Sequence, residues 1–220
     1  MSIVIPLERR MMNDCPLCGS KSACFADYRS VSYLRCDGCK SVWMDPKYHL
    51  KPNDEKARYE KHNNDPGDPR YQAFVRPVIA EVERWCGVGS EGLDFGAGPG
   101  PVISMLLSDK GYRMRTYDPF FWPDHHLCEI SYDFVVCCEV IEHFHFPRRA
   151  FEMLRRCLRP GGVLVMMTEL YRDKTDFPTW YYKNDETHVF FYHPHAFSWI
   201  QNYFGFSFCE IDGRVIVLQV

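Results

Sequence analysis

Two rhythms of apolar and polar positions run along this chain. Short, near-continuous apolar runs end at Phe95, Tyr117, Cys138 and Thr168 and begin near Leu93, Met114, Tyr132 and Val163. Runs of that kind fit strands buried on both faces of a parallel sheet. Between them the spacing turns helical. In Tyr71–Cys86 the residues Phe74, Val78, Ile79 and Val82 form one stripe, and in Pro147–Leu158 the inward set is Phe151, Leu154 and Leu158. Pro101–Lys110 and Pro194–Phe204 complete the predicted helices, and Arg159-Pro160-Gly161-Gly162 reads as a break before the next strand. Phe206–Ile211 and Arg214–Val220 flank Asp212-Gly213, a strong hairpin signal, so the sheet is expected to end antiparallel. Strands alternating with helices predict an α/β fold.

The first 70 residues follow neither rhythm. Cys15-Pro16-Leu17-Cys18 and Cys36-Asp37-Gly38-Cys39 are two C-x-x-C knuckles at zinc-ribbon separation, with short strands expected over Ala23–Tyr28 and Ser32–Leu34. Four thiolates on two tight turns close a tetrahedral site, which makes Cys15, Cys18, Cys36 and Cys39 the expected ligands of a structural zinc. Tyr48–Arg70 is polar and punctuated by proline, with one short helix expected over about Asp54–His62. It leads into the sheet and could lie over a pocket as a lid, bringing Tyr59 and His62 to a ligand. The expected organisation is a ribbon over 1–47, a linker and lid over 48–70, and the sheet domain over 71–220, with separate cores for ribbon and sheet domain.

Composition changes this picture only at the margins. A hydrophobic content of 46% supports a real core, and a net charge of −3 gives no strong attraction to nucleic acid or to an anionic membrane. No apolar run reaches transmembrane length, and Met1–Arg10 lacks the order of a secretion signal. Eleven cysteines without such a signal point to a reduced, cytoplasmic protein rather than a disulfide framework.

Candidate chemistry gathers at Gly92-Leu93-Asp94-Phe95-Gly96-Ala97-Gly98-Pro99-Gly100. A strand running into a glycine loop and then a helix binds a nucleotide-like ligand at the carboxyl end of a sheet. The helix would point its N-terminal N–H groups back at that ligand. The glycine spacing lacks the third glycine of the dinucleotide fingerprint, and prolines at 99 and 101 remove N–H groups that a pyrophosphate would use. Asp118 ends the next strand, where a ribose diol is held in such folds. A ribose without a pyrophosphate points to S-adenosylmethionine.

Three stretches in order, Leu93–Gly100, Cys138-Glu139-Val140-Ile141-Glu142-His143 and Leu158–Gly162, resemble the class I S-adenosylmethionine-dependent methyltransferases over about Tyr71–Val220. With the N-terminal ribbon and His188-Val189-Phe190-Phe191-Tyr192, the whole chain looks like a group of bacterial methyltransferases of uncertain substrate. The resemblance implies a Rossmann-like, mostly parallel sheet. It places Gly96, Ala97 and Gly98 against the methionine part of the cofactor, with Phe95 beside them. Asp94 would orient the loop or receive the amino group, Asp118 would accept both ribose hydroxyls with Pro119 adjacent, and Glu139 would line the same pocket. The third strand of the family is shortened here into Pro119–Ser131, and Phe120 is set to face the adenine instead.

Methyl transfer from a sulfonium needs positioning, exclusion of water and, for some acceptors, a base. His143 and His188 are the base candidates, with Glu142 beside them; each histidine could equally be an ordinary hydrogen-bonded one. Glu139, Glu142 and His143 at i, i+3 and i+4 would share one side of a helical turn, and with His188 could hold a second, divalent metal. Related constellations bind a divalent ion in small-RNA 3′-end and ubiquinone-pathway methyltransferases, while many class I members carry the same residues without metal. Thr179–Tyr192, with Trp180, Tyr181, Tyr182, Phe190, Phe191 and Tyr192, is expected to wall an acceptor site; the alternative is that these rings only pack the terminal hairpin. A small-molecule methyl acceptor is the leading reading. An RNA methyltransferase that holds RNA by its ribbon and a non-catalytic cofactor-binding partner protein are the alternatives.

Overall fold

The computed structural model describes residues 14–61 and 65–220. The readings made for Met1–Arg10 and for His62 lie outside the described residues. Among the described residues the strands and α-helices are, in order, β1 (Ser22–Tyr28), β2 (Val31–Cys36), β3 (Val42–Met44), α1 (Pro52–Tyr59), α2 (Pro69–Trp85), β4 (Glu91–Phe95), α3 (Val102–Asp109), β5 (Arg113–Tyr117), β6 (Tyr132–Cys138), α4 (Pro147–Arg156), β7 (Leu158–Met167), β8 (Phe190–Phe191), α5 (Pro194–Phe204), β9 (Phe208–Asp212) and β10 (Val215–Gln219).

The larger sheet has the order β5-β4-β6-β7-β10-β9. β5, β4, β6 and β7 are parallel, and the β9–β10 hairpin joins β7 antiparallel. Chain order reverses between β4 and β6, and the carboxyl ends of strands at such a reversal form a crevice for ligands. The return from β5 to β6 carries only a short 3₁₀ turn, His125–Glu129, so the shortened third strand expected from sequence is absent from the sheet.

Alternation along β6 and β7 sends successive side chains into two cores, one on each face. Val135, Cys137, Leu164 and Met166 pack with α4 and α5, whereas Phe134, Val136, Val163 and Val165 pack with α2 and α3. Helix α2 buries Val75, Val78, Ile79 and Val82. Phe74 belongs to the expected stripe but is 38% exposed, so the stripe is one residue out of phase with the reading at that position. Arg159–Gly162 does not end an element as expected. Strand β7 runs through it, and the pairing jumps from Tyr132↔Leu158 to Phe134↔Val163, a bulge that absorbs the extra residues. A Cβ on Gly162 would lie 3.0 Å from the Asp133 carbonyl oxygen, which explains glycine there.

The ribbon forms a second sheet, β1-β2-β3-β8, whose last strand comes from far along the chain. Val42 pairs with Phe191 and Trp43 with Phe190. Cys15, Leu17, Cys36, Cys39 and Trp43 lie in one hydrophobic cluster with Phe151, Leu154, Tyr192 and Phe197. Arg148 of α4 donates from Nε to the Leu17 carbonyl at 2.5 Å. The expectation of separate cores is therefore corrected: a three-stranded ribbon has too little apolar area to close alone, and it completes its core on the larger domain. Among the described residues no helix is long and apolar enough to cross a membrane.

Candidate functional site

The loop after β4 is shaped by backbone geometry. Gly96 and Gly98 take φ of +77° and +64°, and a Cβ on Gly96 would fall 2.6 Å from the Val140 methyls. The Gly96 and Ala97 N–H groups both donate to the Tyr117 carbonyl, at 2.8 and 3.2 Å, and the Gly98 N–H donates to Asp118 Oδ2 at 3.0 Å. At the start of α3, Asp94 Oδ2 accepts from the Ser104 N–H at 3.1 Å and from its hydroxyl at 3.0 Å. Asp94 is buried, and that burial pushes its carboxyl up to about 6. The Val102 and Ser104 N–H groups at the start of α3 are thus taken by the Gly100 carbonyl and by Asp94 rather than left free for a ligand as the sequence reading expected. N–H groups spent on the protein suit a ligand without phosphates.

At the end of β5, Asp118 is buried and accepts three backbone N–H groups. Oδ1 accepts from Phe120 at 2.8 Å and Phe121 at 3.1 Å, and Oδ2 accepts from Gly98. This carboxylate ties the two loops together and turns Phe120 and Phe121 toward the crevice.

At the end of β6 the backbone is strained. Glu139 has φ +53°, in the left-handed region that a non-glycine residue enters at a cost. Its carboxylate is held by Arg214 Nη2, at 2.8 Å from each oxygen, and by the Tyr182 hydroxyl at 3.1 Å. The turn that follows is a 3₁₀ turn over Ile141–His143. Glu139 therefore does not share a helical face with Glu142 and His143 as the spacing suggested. Glu142 is fully buried; Oε2 accepts from the Thr168 hydroxyl at 3.0 Å and Oε1 accepts from the Tyr182 hydroxyl. Burial first, and then the charge of Glu142, pushes the Glu139 carboxyl above its ordinary range, and burial pushes that of Glu142 up as well.

The two histidines meet edge to face, with ring centroids 4.8 Å apart. His143 Nδ1 lies 2.9 Å from the Thr187 carbonyl oxygen and His188 Nδ1 lies 2.7 Å from that of Tyr182. A carbonyl only accepts, so both Nδ1 atoms carry hydrogen, and the second ring nitrogen of His188, Nε2, lies 4.0 Å from Glu142 Oε1. Glu142, His143 and His188 bring one ligand atom each within 4.8 Å of the others, a set that could hold a divalent ion; Glu139 is not in it.

Helix α1 contributes Glu55 and Tyr59 to the crevice. The Tyr59 hydroxyl donates to Glu55 at 2.7 Å, and its ring lies edge-on to His143 at 5.2 Å and 5.8 Å from Phe120. Arg58 of the same helix pairs with Asp185 at 2.7 Å. The other oxygen of Asp185 accepts from the Thr187 N–H and hydroxyl at 3.1 and 2.6 Å. One carboxylate thereby joins α1 to the peptide that holds His143.

The result is a cavity of about 390 Å³. Phe95, Gly96, Ala97, Gly98, Asp118, Pro119, Phe120, Glu139, His143, His188 and Tyr59 line it, so most residues proposed from sequence converge there. Asp94 and Glu142 do not; they stand behind the wall. The aromatic segment behaves differently from its reading. None of Trp180, Tyr181, Tyr182, Phe190, Phe191 and Tyr192 lines the cavity. Tyr182 and Phe191, with Trp180 packed on them, cluster with Tyr33, Met44 and Phe177 on the ribbon's second face, Phe190 and Tyr192 join the core that the ribbon shares with α4 and α5, Tyr181 is exposed, and only His188 of the segment reaches the cavity. Sequence reading also missed Glu55, Tyr71, Phe74 and Phe121 in the wall and Arg214 behind it; Arg214 follows Gly213 in the hairpin turn, and nothing local marks it as a partner of Glu139.

The four ribbon thiols approach one another as a tetrahedral site requires. Cys15 and Cys39 Sγ are 3.7 Å apart, Cys18 and Cys36 Sγ are 3.3 Å apart, and all four lie within 4.8 Å. Zinc–sulfur bonds of about 2.3 Å set sulfurs roughly 3.8 Å apart in a tetrahedron, so the donor set fits.

Against known proteins, residues 68–210 match the family described as methyltransferase domain. A S-adenosylmethionine-dependent methyltransferase of Archaeoglobus fulgidus is similar in structure, with TM-score 0.53 at 17% identity, over 68% of this chain and 92% of that one. The 1,6-didemethyltoxoflavin-N1-methyltransferase of Burkholderia thailandensis, solved with its substrate and S-adenosylhomocysteine, gives TM-score 0.51 at 14% identity over 89% and 98% of the two chains. Phosphoethanolamine N-methyltransferase 2 of Haemonchus contortus, solved with S-adenosylmethionine, gives 0.50 at 18% identity over 71% and 42%. No curated protein matches the sequence.

Proposed function

The chain belongs to the methyltransferase domain family and is a S-adenosylmethionine-dependent methyltransferase, and from that premise we propose that it methylates a small molecule held beside His143 and His188. The observation that carries this reading is the cavity itself. At about 390 Å³ it has the size of a small-molecule site, and both histidines open onto the space bounded by the glycine loop. Its similarity in fold to enzymes whose acceptors are small molecules supports the same reading.

The cofactor supplies a methyl group already activated on a sulfonium. The protein's part is to bind, orient and keep water away. The loop after β4 packs against the methionine portion, with Asp94 holding α3 and hence the loop in place. Asp118 offers its carboxylate to the ribose. Three N–H groups already occupy it, and a carboxylate has about four acceptor positions, so binding both hydroxyls shifts the Phe120–Phe121 turn. Phe120 and Tyr59 cover the adenine side. Nε2 of His143 or His188 takes the acceptor's proton. The Cys15, Cys18, Cys36 and Cys39 site holds a structural zinc, because four thiolates leave no open position.

The test is incubation with labelled S-adenosylmethionine and, separately, a metabolite extract and total RNA. Label appearing in a small molecule supports the reading; label appearing only in RNA replaces it with the RNA reading. A second reading of Glu142, His143 and His188, as a divalent-metal set, rests on their convergence. Calorimetry with Mn²⁺ on the zinc-loaded protein decides it, since a binding event lost in His188→Ala is required.

A further inference from the structure

We infer, on the reading that this cavity is the site of methyl transfer to a small molecule, that the acceptor group is an amine and that acceptors with an anionic group near the reacting atom are excluded. The juxtaposition that carries this is of carboxylates and aromatic rings around the two histidines with no cation among them. Glu55, Asp118 and Glu139 line the cavity, and among the described residues no lysine or arginine does. Asp118 is engaged by the backbone of two loops. Glu139 and Glu55 stand on the segments that carry His143 and Tyr59.

Arg214 and Arg58 are not in the cavity wall and are already matched, and Lys56 is also outside it, with its Nζ 5.8 Å from the Phe121 ring centroid. Arg214 holds Glu139 and lies 3.1 Å from Glu169, so two carboxylates surround one guanidinium. Arg58 is paired with Asp185. Glu55 is 9% exposed; its contacts are the Tyr59 hydroxyl and, at 4.0 Å, His145 Nε2. No lysine or arginine forms an ion pair with it among the described residues. A phosphate, sulfate or carboxylate on the acceptor would be buried beside Glu55 with no lysine or arginine of the described wall to balance it. An ammonium would find the Glu55 carboxylate and the rings of Tyr59, Tyr71 and Phe120 in the wall, surroundings that favour a cation.

The chemistry closes with the groups present. The bound ammonium gives one proton to histidine Nε2 and exposes its lone pair. That pair forms the N–C bond to the methyl carbon as the C–S bond breaks, and the electrons of the broken bond go to sulfur, which becomes a neutral thioether. The product is a methylammonium, and the histidine returns its proton to water on release.

Three probes of one shape and different charge test this at neutral pH: benzylamine, benzyl alcohol and benzoate, each titrated into the full chain saturated with S-adenosylhomocysteine. Benzylamine is expected to bind at least about tenfold more tightly than benzyl alcohol, the scale of a hydrogen bond to a charged group, and benzoate most weakly. Glu55→Gln keeps the side-chain shape and an acceptor for Tyr59, and should bring benzylamine to within about threefold of benzyl alcohol. Glu139→Gln is the second variant and should reduce the preference in the same direction. Benzoate binding as tightly as benzylamine, equal binding or no binding of all three, or a preference that survives both variants overturns the inference. Failure of S-adenosylhomocysteine to bind the wild-type chain would instead overturn the cofactor assignment of the cavity.

Discussion

The glycine loop Asp94–Gly100 and the aromatic segment 170–192 both carry the residue types associated with ligand sites, yet they do different work. The loop bounds the cavity, and its glycines are fixed by positive φ and by the approach of Val140. The segment supplies one cavity residue, His188, and spends its rings on the ribbon. Residues chosen for backbone shape report where the chain must turn. Residues chosen for apolar area report only that something is covered. A ribbon of three short strands needs such a cover, and the aromatic segment is that cover.

Loss of the proposed zinc site should give the largest effect. In Cys36→Ser, elemental analysis should show no bound zinc, and the whole chain should lose stability. Small zinc domains derive about 10–16 kcal/mol from their metal, and here the ribbon shares its core with the larger domain. One calorimetric transition at lower temperature is expected; an unaltered transition for residues 68–220 would restore the picture of two independent units.

Next is Phe191→Ala, at a fully buried ring between β3 and the aromatic cluster. It should cost about 3–5 kcal/mol in denaturant unfolding and leave cofactor affinity nearly unchanged. A selective loss of acceptor binding would return the segment to the acceptor site.

His188→Ala separates the segment's one cavity residue from its packing residues. Turnover should fall by about 10²-fold or more with little change in S-adenosylmethionine affinity. A full rate would leave His143 as the base or remove the need for one.

The loop has its own signature in pH. Burial raises Asp94 to about 6 from an ordinary 3.8. The folded chain keeps a proton that the unfolded chain releases first, so this contribution is complete below about pH 4 and is lost as pH rises through about 6, by roughly 3 kcal/mol at most. Asp94→Asn should flatten that part of the stability profile. A profile identical to wild type would mean that Asp94 ionises normally.

Asp118→Ala should weaken S-adenosylmethionine binding by about 1.5–3 kcal/mol in calorimetry, the smallest of these effects because the loop's other contacts remain. Wild-type affinity would remove Asp118 from the ribose site.

Much of the sheet domain was legible in the sequence. β6 and α5 run over the residues that periodicity assigned. Those elements are long and repeat cleanly, and their burial is decided locally. Phe74 was misplaced because periodicity cannot tell a core face from a cavity wall: the ring lines the cavity and stays 38% exposed. Arg159–Gly162 looked like a stop because glycine and proline usually are one, whereas a bulged strand accepts both. At the site, the motif residues could be placed because the loops after β4, β5 and β6 leave the same sheet edge. Arg214, Asp185 and Tyr182 could not, since their roles depend on partners 40 to 127 residues away, a relation no local pattern encodes: Arg214 to Glu139, Asp185 to Arg58, Tyr182 to Glu142.

The pairing of β3 with β8 also bears on the order in which this protein is made. Val42 and Trp43 leave the ribosome long before Phe190 and Phe191 exist. Until the later segment arrives, β3 is an edge strand of apolar residues, the kind of surface that invites pairing with another chain. Contacts so distant in sequence form late and slowly. A metal captured early by the four thiols would hold β1–β3 in register through that interval, so zinc supply during synthesis should govern the yield of correctly folded chains as much as it governs their final stability.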